Sequence, residues 1–331
     1  MKILYVDLLY DYGVKFRGLN NIGQLGFKAS FEKLGHVVEA FYYDDYLLRT
    51  DELQVALMRA ADVARPDLIF FCLFQDQFTV ATLRALSDKY ITVNWFGDDQ
   101  WRFDAFTRHY ASSFTWCITT DKFSIPRYQQ LGQDNIIYSQ WAAIDDDAVC
   151  CDTSPPDYEY DVSFVGGYHP YRAWFLTQLS KSGLSVKVFG NGWPAGPLSN
   201  DEMSALFKKT KINLNISNST SFDVRYLFAS VKALVSALRS SKSGPQVKAR
   251  NFEIPYYGGF QLSDYVPHIE EYFLIGTEVV CYSSPDEAIA WINYYLRNDM
   301  EREAIRLRGT QKARHYHAYS HRIEKIFEVL A

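Results

Sequence analysis

The chain has 331 residues, 48% of them apolar and 22% charged, with a formal net charge of −5. That length suits two domains, and the acidic balance argues against a nucleic-acid binder, which carries a basic surplus. Five cysteines, an odd count without a CxxC pair, speak for reduced thiols in a cytoplasmic protein rather than a disulfide framework.

The first apolar run, Ile3–Val6, is too short for a signal peptide, and no segment approaches a membrane span. It reads as a strand. A loop with Gly13, Gly18 and Gly23 follows, and then Phe27, Phe31 and Leu34 recur at helical spacing until Gly35. Val37–Phe41 is a second strand, and residues 51–64 form an Ala-rich helix. The continuous apolar run Asp67–Phe74 predicts a strand buried on both faces. Ile91–Phe96, Trp116–Thr119 and Ile136–Tyr138 continue the series. Such alternation predicts a parallel, doubly wound sheet.

The pattern breaks in the acidic, proline-containing stretch Asp145–Asp157, which reads as a linker. Strands resume at Asp161–Gly166, Val186–Phe189, Ile212–Ile216, Phe260–Leu262 and Val279–Tyr282. Phe222–Leu238 is expected to be one helix. Val224, Leu227, Phe228, Val231, Leu234, Val235 and Leu238 share a face of it, read first as core and second as a partner surface. Ser284-Pro-Asp-Glu287 has the form of a capping box that opens another helix, and the chain closes in basic helical sequence.

Three places carry candidate chemistry. Phe164–Arg172 ends a strand and opens a helix. Gly166 and Gly167 would let backbone N–H groups approach an anion there, with Arg172 adding charge-assisted bonds. The plainer reading is a tight strand–helix turn. Lys248, Arg250 and Glu253 stand at the head of a short helix that Gly258 and Gly259 end. Two cations and a carboxylate suit a nucleoside diphosphate, with the carboxylate on the ribose hydroxyls; the plainer reading is an ion pair. Asp98 and Asp99 follow a buried strand and are the candidate general bases, with helix capping as the alternative. His317 and His321 read as surface residues. No HExxH, GxSxG or Walker A pattern is present.

These pieces occur in an order that resembles the group-1 glycosyltransferases, and within them the CgeB-like branch. The ordered set is Asp161–Gly167 with Arg172, Val188–Trp193, Lys211–Ile216, Lys248–Phe260, Tyr282 with Pro285–Glu287, Tyr294–Asn298 and Arg322. The first half matches more loosely, through Pro66–Ile69, Trp95–Asp99 and Ser139–Ala142. The resemblance implies the GT-B architecture: two facing α/β Rossmann-like domains with parallel sheets, and a C-terminal helix crossing back to the N-terminal domain. The corresponding boundaries are 1–145 for the acceptor-side domain, 146–160 for the linker, 161–312 for the nucleotide-sugar domain and 313–331 for the returning helix.

It also implies transfer of a sugar from a nucleotide-sugar donor to an acceptor hydroxyl, with no metal and no other cofactor. Carried over residue by residue, Glu253 holds the donor ribose and Gly166 with Gly167 forms the phosphate-side turn. Gly190, Asn191, Gly192 and Asn215 line the nucleotide side, joined by Arg172, Lys248, Arg250, Gly258 and Tyr282. Asp98 or Asp99 would be the base if the reaction inverts. Two departures stand out. The family's first glutamate would fall at Pro245, and Gly167 takes the place of an arginine. The stereochemical outcome therefore stays open.

The acceptor, whether glycan, lipid-linked precursor, protein or small metabolite, stays open too, as does peripheral membrane contact. The rival reading is a non-catalytic sugar-nucleotide-binding or scaffold protein on the same fold. A dinucleotide oxidoreductase is disfavoured because Gly13, Gly18 and Gly23 do not form GxGxxG.

Overall fold

The computed structural model describes residues 1–146, 156–242 and 244–330. The chain divides into two compact units, residues 1–145 with 319–331, and residues 146–318. Most of the stretch read as a linker, residues 147–155, lies outside the described residues.

The N-terminal unit holds six strands: β1 (Lys2–Asp7), β2 (Val37–Tyr42), β3 (Leu68–Phe71), β4 (Ile91–Phe96), β5 (Trp116–Thr119) and β6 (Ile136–Tyr138). They pair in parallel in the order β2-β1-β3-β4-β5-β6. Alternate residues of each strand feed opposite faces, as the pleat requires. Leu4, Val6, Ile69 and Phe71 join one core, and Ile3, Tyr5, Leu68 and Phe70 join the other.

Helices cover both faces. On one lies α2 (Thr50–Ala64), whose Leu53, Leu57, Ala61 and Ala64 form a single buried stripe, together with α3 (Val80–Ser87). On the other lies α1 (Ala29–Lys33), entered through a π-helical turn at Ile22–Lys28. Beside it packs the last helix, α13 (Tyr319–Leu330), which places Tyr319, Ile323 and Ile326 against Phe27 and Phe31. Gly26 makes that contact feasible, because a Cβ there would press on the Tyr319 ring at 3.0 Å.

The C-terminal unit has five parallel strands: β7 (Tyr160–Val165), β8 (Lys187–Phe189), β9 (Thr210–Asn215), β10 (Gln261–Asp264) and β11 (Val280–Tyr282). Their order is β11-β10-β9-β7-β8. Its helices are α6 (Pro170–Lys181), α7 (Asn200–Lys208), α8 (Val224–Leu227), α9 (Val231–Arg239), α10 (Ala249–Tyr256), α11 (Pro285–Tyr295) and α12 (Asp299–Tyr316). Two short helices of the N-terminal unit, α4 (Asp99–Arg102) and α5 (Ile125–Gln130), complete the numbering. Phe175 and Leu179 of α6, Ala288 and Ile292 of α11 and Ile305 of α12 build the main core with the sheet.

Three expectations from the sequence need correction. Phe222–Leu238 is not one helix, and its large apolar stripe is not core. The helix stops after Leu227, and Ser230 starts a new one by accepting the Ala233 N–H at 3.1 Å. The inward residues are Tyr226, Ala233 and Ala237, packed on Tyr171 and Trp174. His317 is buried rather than superficial, with Nε2 3.0 Å from the Tyr272 carbonyl. The cap at Ser284 is present, since its hydroxyl accepts the Glu287 N–H, but the glutamate reaches back to Ser283 instead.

Candidate functional sites at the two switch points

In an open parallel sheet a ligand crevice forms where the strand order reverses, at the carboxyl ends of the strands. The N-terminal sheet reverses between β1 and β3. A cavity of about 240 Å3 lies there. It is lined by Asp7 at the end of β1 and Leu8 after it, Cys72–Phe74 after β3 and Trp95–Asp98 at the end of β4, with Tyr12, Asn20, Arg102 and Trp141 closing it. Tyr12 sits at φ 54°, a left-handed conformation uncommon outside glycine, with its ring edge-on to Phe74. Arg17 pairs with Asp11 at 2.7 Å and stacks over the Tyr12 ring.

Asp7 is the residue the sequence did not single out. Its Oδ2 accepts the Tyr5 hydroxyl at 2.5 Å and the Asn20 amide at 3.1 Å, while Oδ1 accepts the Leu8 N–H at 2.7 Å. Burial outweighs these donors and pushes the carboxyl up to about 7. The same burial raises the Cys72 thiol, which lies 3.9 Å from the Tyr5 oxygen. Asp7 is thus a group that holds or releases a proton near neutral pH inside the cavity. The only sequence signal was an acid closing an otherwise apolar strand.

The two candidate bases separate. Asp98 lines the cavity together with Arg102, whose guanidinium donates to the Phe74 carbonyl at 2.7 Å and covers the Phe106 ring. Asp99 does not. It is fully buried, and its carboxylate accepts three hydroxyls, from Thr107, Thr119 and Tyr128, each at 2.6 Å. Burial lifts it to about 6. Those contacts make Asp99 an anchor for α4, β5 and α5, out of an acceptor's reach.

The C-terminal sheet reverses between β7 and β9. Here two glycine loops zip together. Gly166 N–H donates to Phe189 O at 2.9 Å, Tyr168 N–H donates to Asn191 O at 2.7 Å, and Trp193 Nε1 donates to Gly166 O at 2.8 Å. Gly190 requires glycine twice over: its φ is +136°, and a Cβ would fall 2.2 Å from Gly166 O. Asn191 and Gly192 stay exposed beside them.

Arg172, read from the sequence as a phosphate contact, is committed to backbone carbonyls. Its guanidinium donates to the carbonyls of Gly167 at 2.9 Å, Ile216 at 2.6 Å and 2.9 Å, and Ser217 at 3.2 Å. It ties the loop after β7 to the loop after β9, and burial lowers its pKa to about 10. Asp264, at the end of β10, braces the same place by accepting the Ser217 N–H at 2.9 Å.

Tyr282 is likewise structural: it is buried, with its hydroxyl donated to the Asn215 carbonyl at 2.7 Å. The Asn215 amide goes to Ser263 Oγ at 3.2 Å. Gly258, at φ +87°, terminates α10, and its carbonyl accepts from Arg306. At the other end of α10 the ion pair of the plainer reading forms. Lys248 is the half-buried N-cap residue, and Arg250 pairs with the nearly buried Glu253 at 2.8 Å. Burial raises Glu253, and Arg250 works against that rise.

Both units thus have the doubly wound parallel sheets of the GT-B fold, which defines the class of architecture to which the molecule belongs. Residues 172–328, just under half of the chain, match the family model described as glycosyl transferase-like. No curated protein matches the chain. Among solved structures it is similar to HepE from Anabaena in complex with UDP, with 13% identity, 100% of this chain and 99% of that one covered, and a TM-score of 0.57. It is also similar to sucrose-phosphate synthase from Thermosynechococcus elongatus, at 9% identity, 100% and 99% coverage and a TM-score of 0.61. A glycosyltransferase from Rickettsia africae gives 10% identity, 99% and 97% coverage and a TM-score of 0.60.

Proposed function

We propose that the protein is a glycosyltransferase that moves a sugar from a nucleotide-sugar donor to an acceptor hydroxyl. The observation that carries this reading is the glycosyl transferase-like match over residues 172–328, on the unit that bears the paired glycine loops and the Lys248–Glu253 cluster. The donor diphosphate lies against the Gly166–Gly167 and Gly190–Gly192 backbone and the cations at the head of α10. Glu253 takes the ribose hydroxyls. Backbone N–H groups and a positive cluster stabilise the charge that develops on the departing diphosphate, without a metal ion.

HepE has been crystallised with UDP and with UDP-glucose, so a uridine nucleotide is the first donor to test. The acceptor enters the cavity of the N-terminal unit, whose aromatic walls and carboxyls suit a polyhydroxylated molecule. Asp98 is the general base toward the acceptor hydroxyl, and Asp7 keeps a titrating proton in the same cavity.

The test is a thermal-shift series with UDP-, GDP-, TDP- and CMP-sugars, with and without EDTA. A ligand at 100 times its Kd adds about 2.7 kcal/mol of stability. A shift with a UDP-sugar that survives EDTA supports metal-independent donor binding, and hydrolysis or transfer of that sugar establishes the reaction. Well-folded protein that responds to no nucleotide would sink the proposal.

A further inference from the structure

Most of the large apolar residues between Phe222 and Leu238 are used neither by the core nor by the site. α9 turns its small residues, Ala233 and Ala237, inward. Its large apolar residues, Val231, Leu234, Val235 and Leu238, recur at i, i+3, i+4 and i+7, so they share one stripe on the opposite side. That stripe is exposed, as are Phe222, Val224 and Phe228 of the preceding turn. Phe228 is 83% accessible and Leu238 76%. Isolated exposed apolar residues are ordinary, but a run of them on one helix face marks an interaction surface.

The charge of the segment says what covers it. Between Asn218 and Gly244 stand Arg225, Lys232, Arg239 and Lys242 against the single acid Asp223, a balance of +3 in a chain whose total is −5. The rest of the molecule therefore carries −8. Arg225 is held by Asp223 and Asp286, at 2.8 Å and 2.7 Å. The remaining basic positions fall within and just after the apolar helix, a locally cationic patch on an otherwise acidic protein. An apolar stripe flanked by basic residues is the pattern of a helix that lies in the plane of an anionic lipid interface.

We infer that α8 and α9 form a docking surface for an anionic membrane, with Phe222, Phe228, Val231, Val235 and Leu238 entering the acyl boundary and Arg239 and Lys242 facing lipid phosphates. No helix among the described residues is long and apolar enough to cross a membrane, so this contact is peripheral. It does not depend on the transfer reaction.

The test is cosedimentation of the full chain with phosphatidylcholine vesicles, with and without phosphatidylglycerol. Expected is binding that needs phosphatidylglycerol and falls at least tenfold between 50 and 500 mM salt, values chosen to screen surface charge. The variant Phe228→Ser/Val231→Ser/Leu238→Ser should lose it at least tenfold, and Arg239→Gln/Lys242→Gln should weaken it severalfold. Unchanged circular dichroism and nucleotide response would show that both variants are folded. Three results would overturn the inference: wild-type protein that ignores both vesicle types, equal binding by the triple-serine variant, or a dimer in sedimentation analysis that the serine variant dissolves while vesicles go unbound. The last would assign the surface to a second copy of the chain.

Discussion

The two units use one strand order to opposite ends. Renumbered from its first strand, the C-terminal sheet runs 5-4-3-1-2, which is the 2-1-3-4-5 core of the N-terminal sheet read from the other edge. Both therefore reverse between their first and third strands. In the N-terminal unit the crevice at that point is open, a cavity of about 240 Å3 rimmed by Asp7 and Asp98. In the C-terminal unit Arg172 stitches the lips of the crevice together, with Asp264 beside it. A ligand there is left with the glycine loops and the head of α10. Topology places the crevice, and individual side chains decide whether anything enters it.

The largest effect expected separates the adjacent acids. Asp98→Asn should cut turnover about 10^2–10^4-fold, the range for loss of a general base, with the melting temperature unmoved. Asp99→Asn should do the reverse, costing about 2 kcal/mol of stability through its three hydroxyl partners and leaving turnover within a few-fold. If Asp99→Asn abolished turnover in fully stable protein, the structural role assigned to its buried carboxylate would be wrong.

Next in size is the tie itself. Arg172→Met removes the donors of three backbone carbonyls and should destabilise the protein by about 3 kcal/mol in urea unfolding. A small loss, below about 0.5 kcal/mol, would mean that the crevice does not need the arginine to stay closed.

A third test concerns protons. Asp7 in the folded chain titrates near 7 against an ordinary 3.8, and Asp99 and Asp264 titrate near 6. Between about pH 4 and 7 the folded state therefore binds more protons than the unfolded chain, so stability falls as pH rises through that window and levels off above it. Asp7→Asn should flatten the upper part of this slope, worth about 2 kcal/mol between pH 5 and 7.5. An unchanged slope would place Asp7 in an ordinary ionised state. The smallest effect is on the donor side, where Glu253→Gln should weaken nucleotide binding about tenfold, or about 1.4 kcal/mol. Titration calorimetry with UDP reads that loss directly.

The sheets were largely legible in the sequence because their signal is local. Phe70 and Phe71 sit in a run that only a doubly covered strand tolerates, and Gly166–Gly167 announces the turn after β7. The functions of particular polar residues were not, because their partners are far away in sequence. Nothing near Arg172 reveals that Ile216 and Ser217 will take its N–H groups, and nothing near Asp7 reveals Asn20 or Cys72. The same holds within one dipeptide: Asp98 and Asp99 are equal on paper, and only Thr107, Thr119 and Tyr128 distinguish them. The split between α8 and α9 was hidden for another reason. Helical periodicity runs unbroken across Phe228–Ser230, while the Ser230 cap that restarts the helix is a single side chain.

The place of α13 has a consequence for how the molecule is made. Tyr319, Ile323 and Ile326 complete a core whose other walls, Phe27, Phe31 and Phe70, are synthesised some 250 residues or more earlier. During translation the N-terminal sheet must wait, with the part of one face that α13 covers still bare, while the whole C-terminal unit emerges and folds. The unit encoded first is thus finished last, which gives chaperones a long window on that face. Residues 1–145 expressed alone would keep that part bare permanently, and supplying residues 319–330 as a separate peptide is the direct route to making them soluble.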